Sequence, residues 1–243
     1  LIPGFSLLFI GVSFYELVAF FQDLFAGLVI VSVFVALYRR YVTRPKRLQV
    51  DRHGQIDATA ILIAIMLICV SMVGQNAARM LLGDPDLAQA RFLSGAVMPL
   101  LASLDGSTVN ILGEIFWWIH ITLVLAFLNY LPYSKHLHVL SSVPNVYFTS
   151  LNPRGALKPI NLEEEGVEKF GASDIEDLSW KQLLDGYTCT ECGRCTAACP
   201  ASTTGKLLSP RKIIVDIRRR LQENGPLILD GESKAKSLEG QKL

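Results

Sequence analysis

Over its first 140 residues the chain alternates between long apolar stretches and short polar ones, and it then becomes evenly polar. Ala58 to Ala78 is an uncharged run of 21 residues, long enough to cross a hydrocarbon core of about 30 Å as a helix. Leu24 to Tyr38 and Ile111 to Leu131 are further apolar runs, and the first becomes a full span if it begins near Leu17. The pattern predicts about three membrane-spanning helices.

Two other apolar segments do not have the pattern of a simple span. Residues 1–15 are interpreted as the end of an upstream span or as an interfacial loop. Arg91 to Leu104 is apolar but is interrupted by Gly95 and Pro99. It is predicted to lie along the outer surface, and an ordinary amphipathic connector is the better explanation of it.

The second part of the chain has a balanced, soluble composition, with 14 Lys/Arg and 14 Asp/Glu in residues 151–243. Ser173 to Asp185 is predicted to form a short amphipathic helix capped by Ser173, with Trp180 packed in a small core. A second helix is predicted to begin at Pro210, a favoured first position. Its basic face either docks an acidic electron donor or is simply solvated.

Basic residues are concentrated in one loop, which sets the predicted orientation. Residues 39–56 contain six Arg and Lys residues, whereas residues 83–110 contain only Arg91 beside three Asp residues. By the positive-inside rule the 39–56 loop is cytoplasmic, so everything after Leu131 is cytoplasmic too. This predicts a multi-pass protein of a bacterial-type inner (cytoplasmic) membrane, in contact with lipid. The net charge of +1, without a basic stripe, argues against nucleic-acid binding.

Four closely spaced cysteines stand in the polar part of the chain. Cys189, Cys192, Cys195 and Cys199, followed by Pro200, form the C-x2-C-x2-C-x3-C-P run that is typical of bacterial 4Fe–4S ferredoxins. Zinc sites usually divide their ligands between two distant Cys/His pairs, and disulfides between residues this close would be strained. The run therefore predicts that all four cysteines are metal ligands, in a reducing compartment.

In two-cluster ferredoxins the fourth Cys of such a run ligates the other cluster, so the first three need a further thiolate. The remaining cysteine, Cys69, lies in an apolar segment and is interpreted as a small buried hydrophobe. We therefore expect a second Cys run beyond Leu243, and we interpret the chain as a fragment. The predicted fold is mainly α: a transmembrane helical bundle over 1–140, a linker over 141–165, and a small ferredoxin-like α-helical 4Fe–4S domain over 166–243.

The histidines are candidates for cofactor binding. His120 lies in a predicted span, where an ionisable side chain is by default a functional hypothesis, although a polar contact between helices would also explain it. Imidazole is a common axial ligand of b-type haem. His120 and His138 are 18 residues apart, which on one continuous helix is about 27 Å on the same face. They would then serve two haems, or one haem and a quinone pocket, unless Pro132 kinks the helix.

The other two histidines extend this hypothesis. His53 is predicted to lie level with His138 and to share an inner haem with it, unless His53 is only a loop residue. The partner of His120 is expected upstream of Leu1. His136 is predicted to face away from His138 and to bind lipid head groups or a quinone carbonyl.

Several stretches, among them FFQDLFAG, SKHLHVL and WKQLLDGYTCTECGRCTAACPASTTGKLLSPRKII, resemble the membrane-bound heterodisulfide-reductase-related iron–sulfur proteins. These proteins join a cytochrome-b-like domain, similar to the nitrate reductase gamma subunit, to a ferredoxin domain and cysteine-rich domains. One branch consists of electron-transfer-flavoprotein:menaquinone oxidoreductases. This chain departs from the pattern in lacking the first histidine-bearing helix, the second Cys run and the cysteine-rich domains.

The resemblance implies two 4Fe–4S clusters, b-type haem and quinone chemistry. It places Cys189, Cys192 and Cys195 on one cluster and Cys199 on the other. It also places His120 and His138 at the haem positions of the last helix of the membrane domain.

We therefore expect a membrane-bound oxidoreductase that passes electrons between a cytoplasmic donor, such as an electron-transfer flavoprotein, and menaquinone or another quinone. The first alternative is a heterodisulfide-reductase-like or sulfite-pathway subunit that runs electrons from quinol to a cytoplasmic disulfide. The second is a non-catalytic membrane-anchored ferredoxin without haem. The glycines are scattered and form no nucleotide-binding loop, so direct nicotinamide binding is not expected.

Overall fold

A computed structural model describes residues 12–50, 52–83, 90–153, 163 and 171–229. This part of the chain is helical and contains no β-strand, which confirms the predicted mainly α class. Its helices are α1 (Val12–Tyr38), α2 (Arg52–Leu81), α3 (Phe92–Leu101), α4 (Gly106–Tyr130), α5 (His138–Tyr147), α6 (Trp180–Thr188), α7 (Arg194–Ala198), α8 (Pro200–Thr203) and α9 (Pro210–Leu229). The interpretation of residues 1–15 falls almost wholly outside the described residues.

The chain divides into two compact units, Leu1–Leu131 and Pro132–Leu243. Shorter turns join the α-helices: a π-helical turn at Arg39–Thr43 and 3-10 turns at Lys46–Leu48, Leu131–Tyr133, Lys135–Leu137 and Ile175–Asp177. The segment predicted as a linker, residues 141–165, begins inside α5. Much of the rest of that segment lies outside the described residues.

Three helices of the first unit are long and apolar enough to cross a membrane: Glu16–Thr43, Arg52–Leu81 and Gly106–Tyr133. Their surfaces carry large apolar side chains such as Phe34 and Trp118, which are 62% and 61% exposed. Apolar surface of this extent is unfavourable in water, and lipid tails can shield it from water along helices of this length. The three predicted spans are therefore present as helices, and their sidedness stays a prediction.

Small residues bring α2 and α4 close together. A Cβ atom at Gly74 would lie 2.9 Å from the ring of Phe116, and one at Gly113 would lie 3.4 Å from the Cβ of Ala78. Ala78 itself is fully buried. Small residues at such crossings let helix backbones approach within a membrane, where packing rather than water exclusion drives association.

The apolar segment at 91–104 forms the helix α3, which is attached to α1 by a buried acid. Asp23 is fully buried, and its carboxylate accepts hydrogen bonds from the backbone N–H groups of Leu93 (2.6 Å) and Ser94 (2.9 Å) and from the Ser94 hydroxyl (2.7 Å). These are the first-turn donors that an N-cap normally satisfies. A residue of α1 therefore caps a helix about 70 positions away in sequence.

The last span ends at a proline. α4 ends at Tyr130 and is followed by the 3-10 turn Leu131–Tyr133, because Pro132 lacks a backbone N–H and its ring clashes with the preceding turn of an α-helix. The continuous helix assumed for His120 and His138 does not exist. The separation of about 27 Å assumed such a helix and does not apply, and the alternative in which Pro132 interrupts the helix is confirmed.

The predicted helix over Ser173 to Asp185 is confirmed only from Trp180 onward. Asp174 caps a 3-10 turn, Ile175–Asp177, in a reciprocal capping box, and Leu178 is extended with φ −91° and ψ 142°. Ser179 then starts α6 with a second capping box. Two such boxes within six residues break the segment into two short pieces, because each cap needs an extended residue before its helix.

Trp180 lies at the surface of the second unit. Its side chain is 61% exposed, and its ring meets Phe148 edge to face with centroids 5.1 Å apart. The prediction that it packs in the core is wrong. The contact instead joins the start of α6 to the end of α5. At the opposite ends of these two helices, the Thr188 hydroxyl donates to Ser141 at 3.2 Å.

Candidate functional site

The cysteine run follows the end of α6 and is shaped by two left-handed residues. Cys189 is the C-cap of α6, and Glu191 and Gly193 have φ of 56° and 71°. Left-handed backbone reverses the chain within a few residues and is strained for a residue such as Glu. Cys199 then precedes α8, whose first residue is Pro200. The loop thus turns tightly at its start, and a helix that begins at Pro200 follows its last cysteine.

The donor chemistry of this loop fits an iron–sulfur cluster. Within the described residues none of the four cysteines forms a disulfide, and thiolate is the ligand that such clusters take. The backbone N–H of Glu191 donates to the Cys189 sulfur at 3.4 Å, and hydrogen bonds to cluster sulfurs are one means of setting a reduction potential. No group of three or more His, Cys, Asp or Glu side chains within the described residues is arranged to hold a metal ion. Ligation by the four cysteines stays a proposal.

A buried acid inside the run holds the loop to two basic residues of the second unit. The Glu191 side chain is 8% exposed; it pairs with Lys135 at 2.9 Å and with Arg218. Burial alone would raise the pKa of the Glu191 carboxyl, but the hydrogen bonds and charges of Lys135 and Arg218 outweigh it and hold that pKa below its usual range. The three charges form a network that fixes the start of the loop.

Helix α9 forms hydrogen bonds with the cysteine loop. Arg218 also donates from Nη1 to the Cys189 carbonyl at 3.0 Å. The Thr196 hydroxyl lies 3.1 Å from that of Ser209 and accepts from the backbone N–H of Arg211 at 3.2 Å. The loop is therefore attached to α9 at its first cysteine and again between its third and fourth.

The basic face predicted for α9 is only partly a solvated face. Arg218 points to the cysteine loop, and Arg220 pairs with Asp174 at 2.7 Å. Lys212 forms an exposed pair with Asp216 at 3.2 Å. Arg218, Arg220 and Lys212 thus each pair with an acid inside the second unit.

His120 is held by the neighbouring span in one orientation. Its Nδ1 lies 3.1 Å from the carbonyl oxygen of Ile68 and 3.2 Å from the Ser71 hydroxyl, both on α2. A carbonyl oxygen only accepts, so a hydrogen bond from His120 to Ile68 requires the hydrogen on Nδ1, which leaves Nε2 available as a ligand. Metal-ligating histidines are usually oriented in this way, by a hydrogen bond from the other ring nitrogen.

In the second unit, the Nδ1 of His138 also lies within hydrogen-bond distance of a backbone carbonyl oxygen. His138 is the first residue of α5, and its Nδ1 lies 2.9 Å from the Lys135 carbonyl oxygen. The prediction that His136 faces away is wrong: the two rings meet edge to face with centroids 5.2 Å apart. The 3-10 turn Lys135–Leu137 rotates residues differently from the α-helix assumed for the spacing.

His53 is exposed near the start of α2. Its pairing with His138 joins residues of two separate units and stays a prediction.

Three polar residues were missed by the sequence reasoning: Glu191 in the second unit, and Asp57 and Tyr130 in the first. Glu191 stands among the cysteines as an acid in a loop that faces a basic helix, which is a usable signal. Asp57 is buried in α2 and accepts a hydrogen bond of 2.5 Å from the Tyr130 hydroxyl at the end of α4. An acid one turn inside a span, with a tyrosine at the end of another, is a weak signal because the pairing depends on the helix register.

Comparison with curated proteins finds similarity to iron–sulfur oxidoreductases over most of the chain. The protein named "Probable iron-sulfur-binding oxidoreductase FadF" of Bacillus subtilis (strain 168) is 35% identical over 214 residues, which are 88% of this chain and 30% of that protein. "EtfAB:quinone oxidoreductase" of Syntrophomonas wolfei subsp. wolfei is 28% identical over 235 residues, which are 93% of this chain and 32% of that protein.

A "Probable membrane-anchored ferredoxin" of Chromohalobacter salexigens is 38% identical over 61 residues, which are 25% of this chain and 9% of that protein. No family model and no solved structure matches the chain. The chain spans about a third or less of the length of these relatives. Their names and the three apolar helices together support a membrane protein related to iron–sulfur oxidoreductases of electron transfer.

Proposed function

We propose that this chain is part of a membrane-bound iron–sulfur oxidoreductase that passes electrons between a cytoplasmic donor and the membrane quinone pool. The observation that carries the proposal is the orientation of His120. Its Nδ1 is committed to the Ile68 carbonyl of the neighbouring span, so Nε2 is the lone pair that a haem iron would take.

The cysteine loop supplies the second part of the proposal. Cys189, Cys192 and Cys195 would hold one 4Fe–4S cluster, and Cys199 would contribute to another. When bound, these clusters and b-type haem supply one-electron chemistry. The residues of the chain hold and orient those groups: Glu191 and Arg218 fix the loop, and the N–H of Glu191 is directed at the Cys189 sulfur.

The partners follow from the relatives and from the membrane helices. One relative is named an EtfAB:quinone oxidoreductase, which supports an electron-transfer flavoprotein as donor and a quinone, such as menaquinone, as acceptor. The basic loop at 39–56 supports a cytoplasmic position for the cysteine loop. On this proposal electrons enter on the cytoplasmic side of an inner membrane. A quinone within the membrane accepts them, together with protons, and becomes quinol.

The test is a dithionite-reduced-minus-oxidised spectrum of the membrane protein, recorded for wild type and for His120→Ala and His138→Ala. A b-type band is expected in wild type, and each variant should lose the absorbance of the haem that its histidine holds. Asn129→Ala is the matched control. Asn129 is an exposed polar residue of the same helix as His120, and its amide donates only to the Leu125 carbonyl one turn earlier.

Loss of the band in His120→Ala with retention in Asn129→Ala supports haem ligation by His120. A wild-type band that survives unchanged in both histidine variants would contradict it. Iron content and the absorbance of the clusters, measured on the same samples, show whether the second unit is still loaded.

A membrane-anchored ferredoxin is a second candidate, because one relative has that name and its similarity reaches 38% identity. It differs in a single observable: the loaded protein would show iron–sulfur absorbance and no haem band in any variant. Such a spectrum would replace the first proposal with this one.

A further inference from the structure

A cavity of about 460 Å³ lies at the end of the first span, and arginines line it. Its wall is formed by the turn after α1 and by the start of α2; the polar members are Arg40, Tyr41, Arg44, Gln49 and Gln55. The lining residues contain no acid. A cavity of this size matches those that hold small ligands, and its charge favours an anion.

One of the arginines that line this cavity has an unsatisfied nitrogen. Among the described residues, the buried Nη1 of Arg40 has no hydrogen-bond partner. Leaving a buried charged donor without a partner costs about 1–3 kcal/mol or more, so such groups usually have a ligand that satisfies them. Guanidinium groups match phosphate oxygens in geometry as well as in charge.

The backbone here is held in an unusual shape that brings the two arginines together. Arg39–Thr43 is a π-helical turn, and Arg44, its C-cap, is left-handed with φ 44°. π-Turns inside helices occur frequently at functional sites, and a left-handed arginine is strained. The Nε of Arg44 donates to the Tyr41 carbonyl at 2.8 Å, and the Gln49 amide donates to the Arg44 carbonyl at 3.3 Å. Local hydrogen bonds thus maintain the strained turn.

The position of the cavity indicates the source of the anion. The candidate span Glu16–Thr43 ends within the turn that carries Arg40, which places Arg40 at the level where lipid phosphates lie. Basic pockets at the cytoplasmic ends of membrane helices bind anionic head groups, and this loop is the one that the positive-inside rule assigns to the cytoplasm.

We propose that the cavity lined by Arg40 and Arg44 is a binding site for the head-group phosphate of an anionic phospholipid. The lipid's phosphate would accept from the guanidinium groups, while its acyl chains would lie along the exposed apolar surface of α1. The site would fix the cytoplasmic end of the first span against the second.

The test is an equilibrium titration of the whole delipidated protein, in uncharged detergent, with phosphatidylglycerol and with phosphatidylcholine. Arg40→Gln removes the proposed contact. Arg39→Gln is the matched control, because Arg39 is exposed and does not line the cavity, yet carries the same charge in the same loop. Both variants lose the same general attraction to an anionic surface, so the difference between them isolates the site.

Saturable binding of phosphatidylglycerol is expected in wild type and in Arg39→Gln, with Arg40→Gln at least about tenfold weaker than that control. Equal affinities of the two variants would overturn the proposal. So would equal binding of phosphatidylcholine, or full competition by millimolar inorganic phosphate, which would identify a free anion as the ligand. Circular dichroism of each variant establishes that Arg40→Gln is folded, and Arg40→Lys should recover part of the affinity.

Discussion

The ion-pair network around Glu191 gives the sharpest stability prediction. Glu191→Gln keeps the shape of the side chain and removes its charge, so Lys135 and Arg218 lose their shared counter-ion. The three side chains are only 8%, 11% and 14% exposed, respectively. Removing one partner of a buried pair costs about 3 kcal/mol, because the remaining charges are left uncompensated.

The assay is hydrogen exchange of the whole protein in detergent, followed by mass spectrometry of peptides covering residues 186–199. Local opening of this segment should become easier by about 3 kcal/mol, which is about 150-fold faster exchange. Asp185→Asn is the matched control. It removes one charge from the Lys181–Asp185 pair on α6, where Asp185 is 43% exposed, and such surface pairs contribute about 0.5 kcal/mol or less.

The effect should depend on pH in one direction. Because the pKa of Glu191 is held below its ordinary value of 4.5 in the folded protein, the charge contributes stability above about that pH. The contribution is lost as the pH falls through the lowered pKa. Exchange in Glu191→Gln that matches Asp185→Asn at neutral pH would refute the reasoning, as would a difference from wild type that grows on acidification.

Three further predictions concern the framework. Asp23→Ala should lower the free energy of unfolding by about 2–4 kcal/mol, because the first-turn donors of α3 lose their cap inside the protein. Thermal unfolding in detergent measures the change, and a shift in melting temperature no larger than that of a surface variant would contradict the prediction. Gly74→Ala should destabilise the α2–α4 crossing, because the added Cβ would lie 2.9 Å from Phe116, and an unchanged melting temperature would show that the ring moves away freely. The hydrogen bond and charge of Arg220 lower the pKa of Asp174, so Arg220→Met should raise that pKa in a carboxyl NMR titration and reduce stability only above about pH 3.8, the ordinary Asp value; an unmoved titration would rule the pair out.

The membrane helices could be predicted from sequence because their signal is local. In a bilayer, an uncharged run such as Ala58–Ala78 can adopt few structures, because its backbone groups must all be hydrogen-bonded within the protein. The structure has a helix from Arg52 to Leu81 that includes this run. The helix ends were harder. Pro132 was recognised as able to kink a helix, but the two short turns that follow it depend on how the backbone groups beyond the proline find partners.

The errors in the second unit come from local competition between caps. Ser173 and Ser179 both precede apolar residues, and sequence alone does not say which serine or aspartate starts the helix. Asp174 and Ser179 each close a capping box, so two short elements replaced one predicted helix. Trp180 is then the first residue of α6, and its side chain is exposed.

Candidate ligands can be named from the sequence, whereas the residues that hold and orient them cannot. The cysteine spacing is a sequence pattern, and the side chains of His120 and His138 were identified as ionisable groups at notable positions. The partners that orient them are backbone carbonyls of Ile68 and Lys135. Every residue has a carbonyl, so no sequence signal marks these two. The pairing of Glu191 with Lys135 spans 56 positions and likewise requires the fold.

Electron transfer from reduced electron-transfer flavoprotein to a menaquinone analogue, measured in membranes that contain the protein, tests the central claim most directly. Wild type and Cys69→Ser, which alters a cysteine outside the run, should reduce the quinone at similar rates. Cys192→Ser should abolish the reaction, because it removes a proposed cluster ligand. Quinone reduction by Cys192→Ser at the wild-type rate, or none by iron-loaded wild type, would contradict the account.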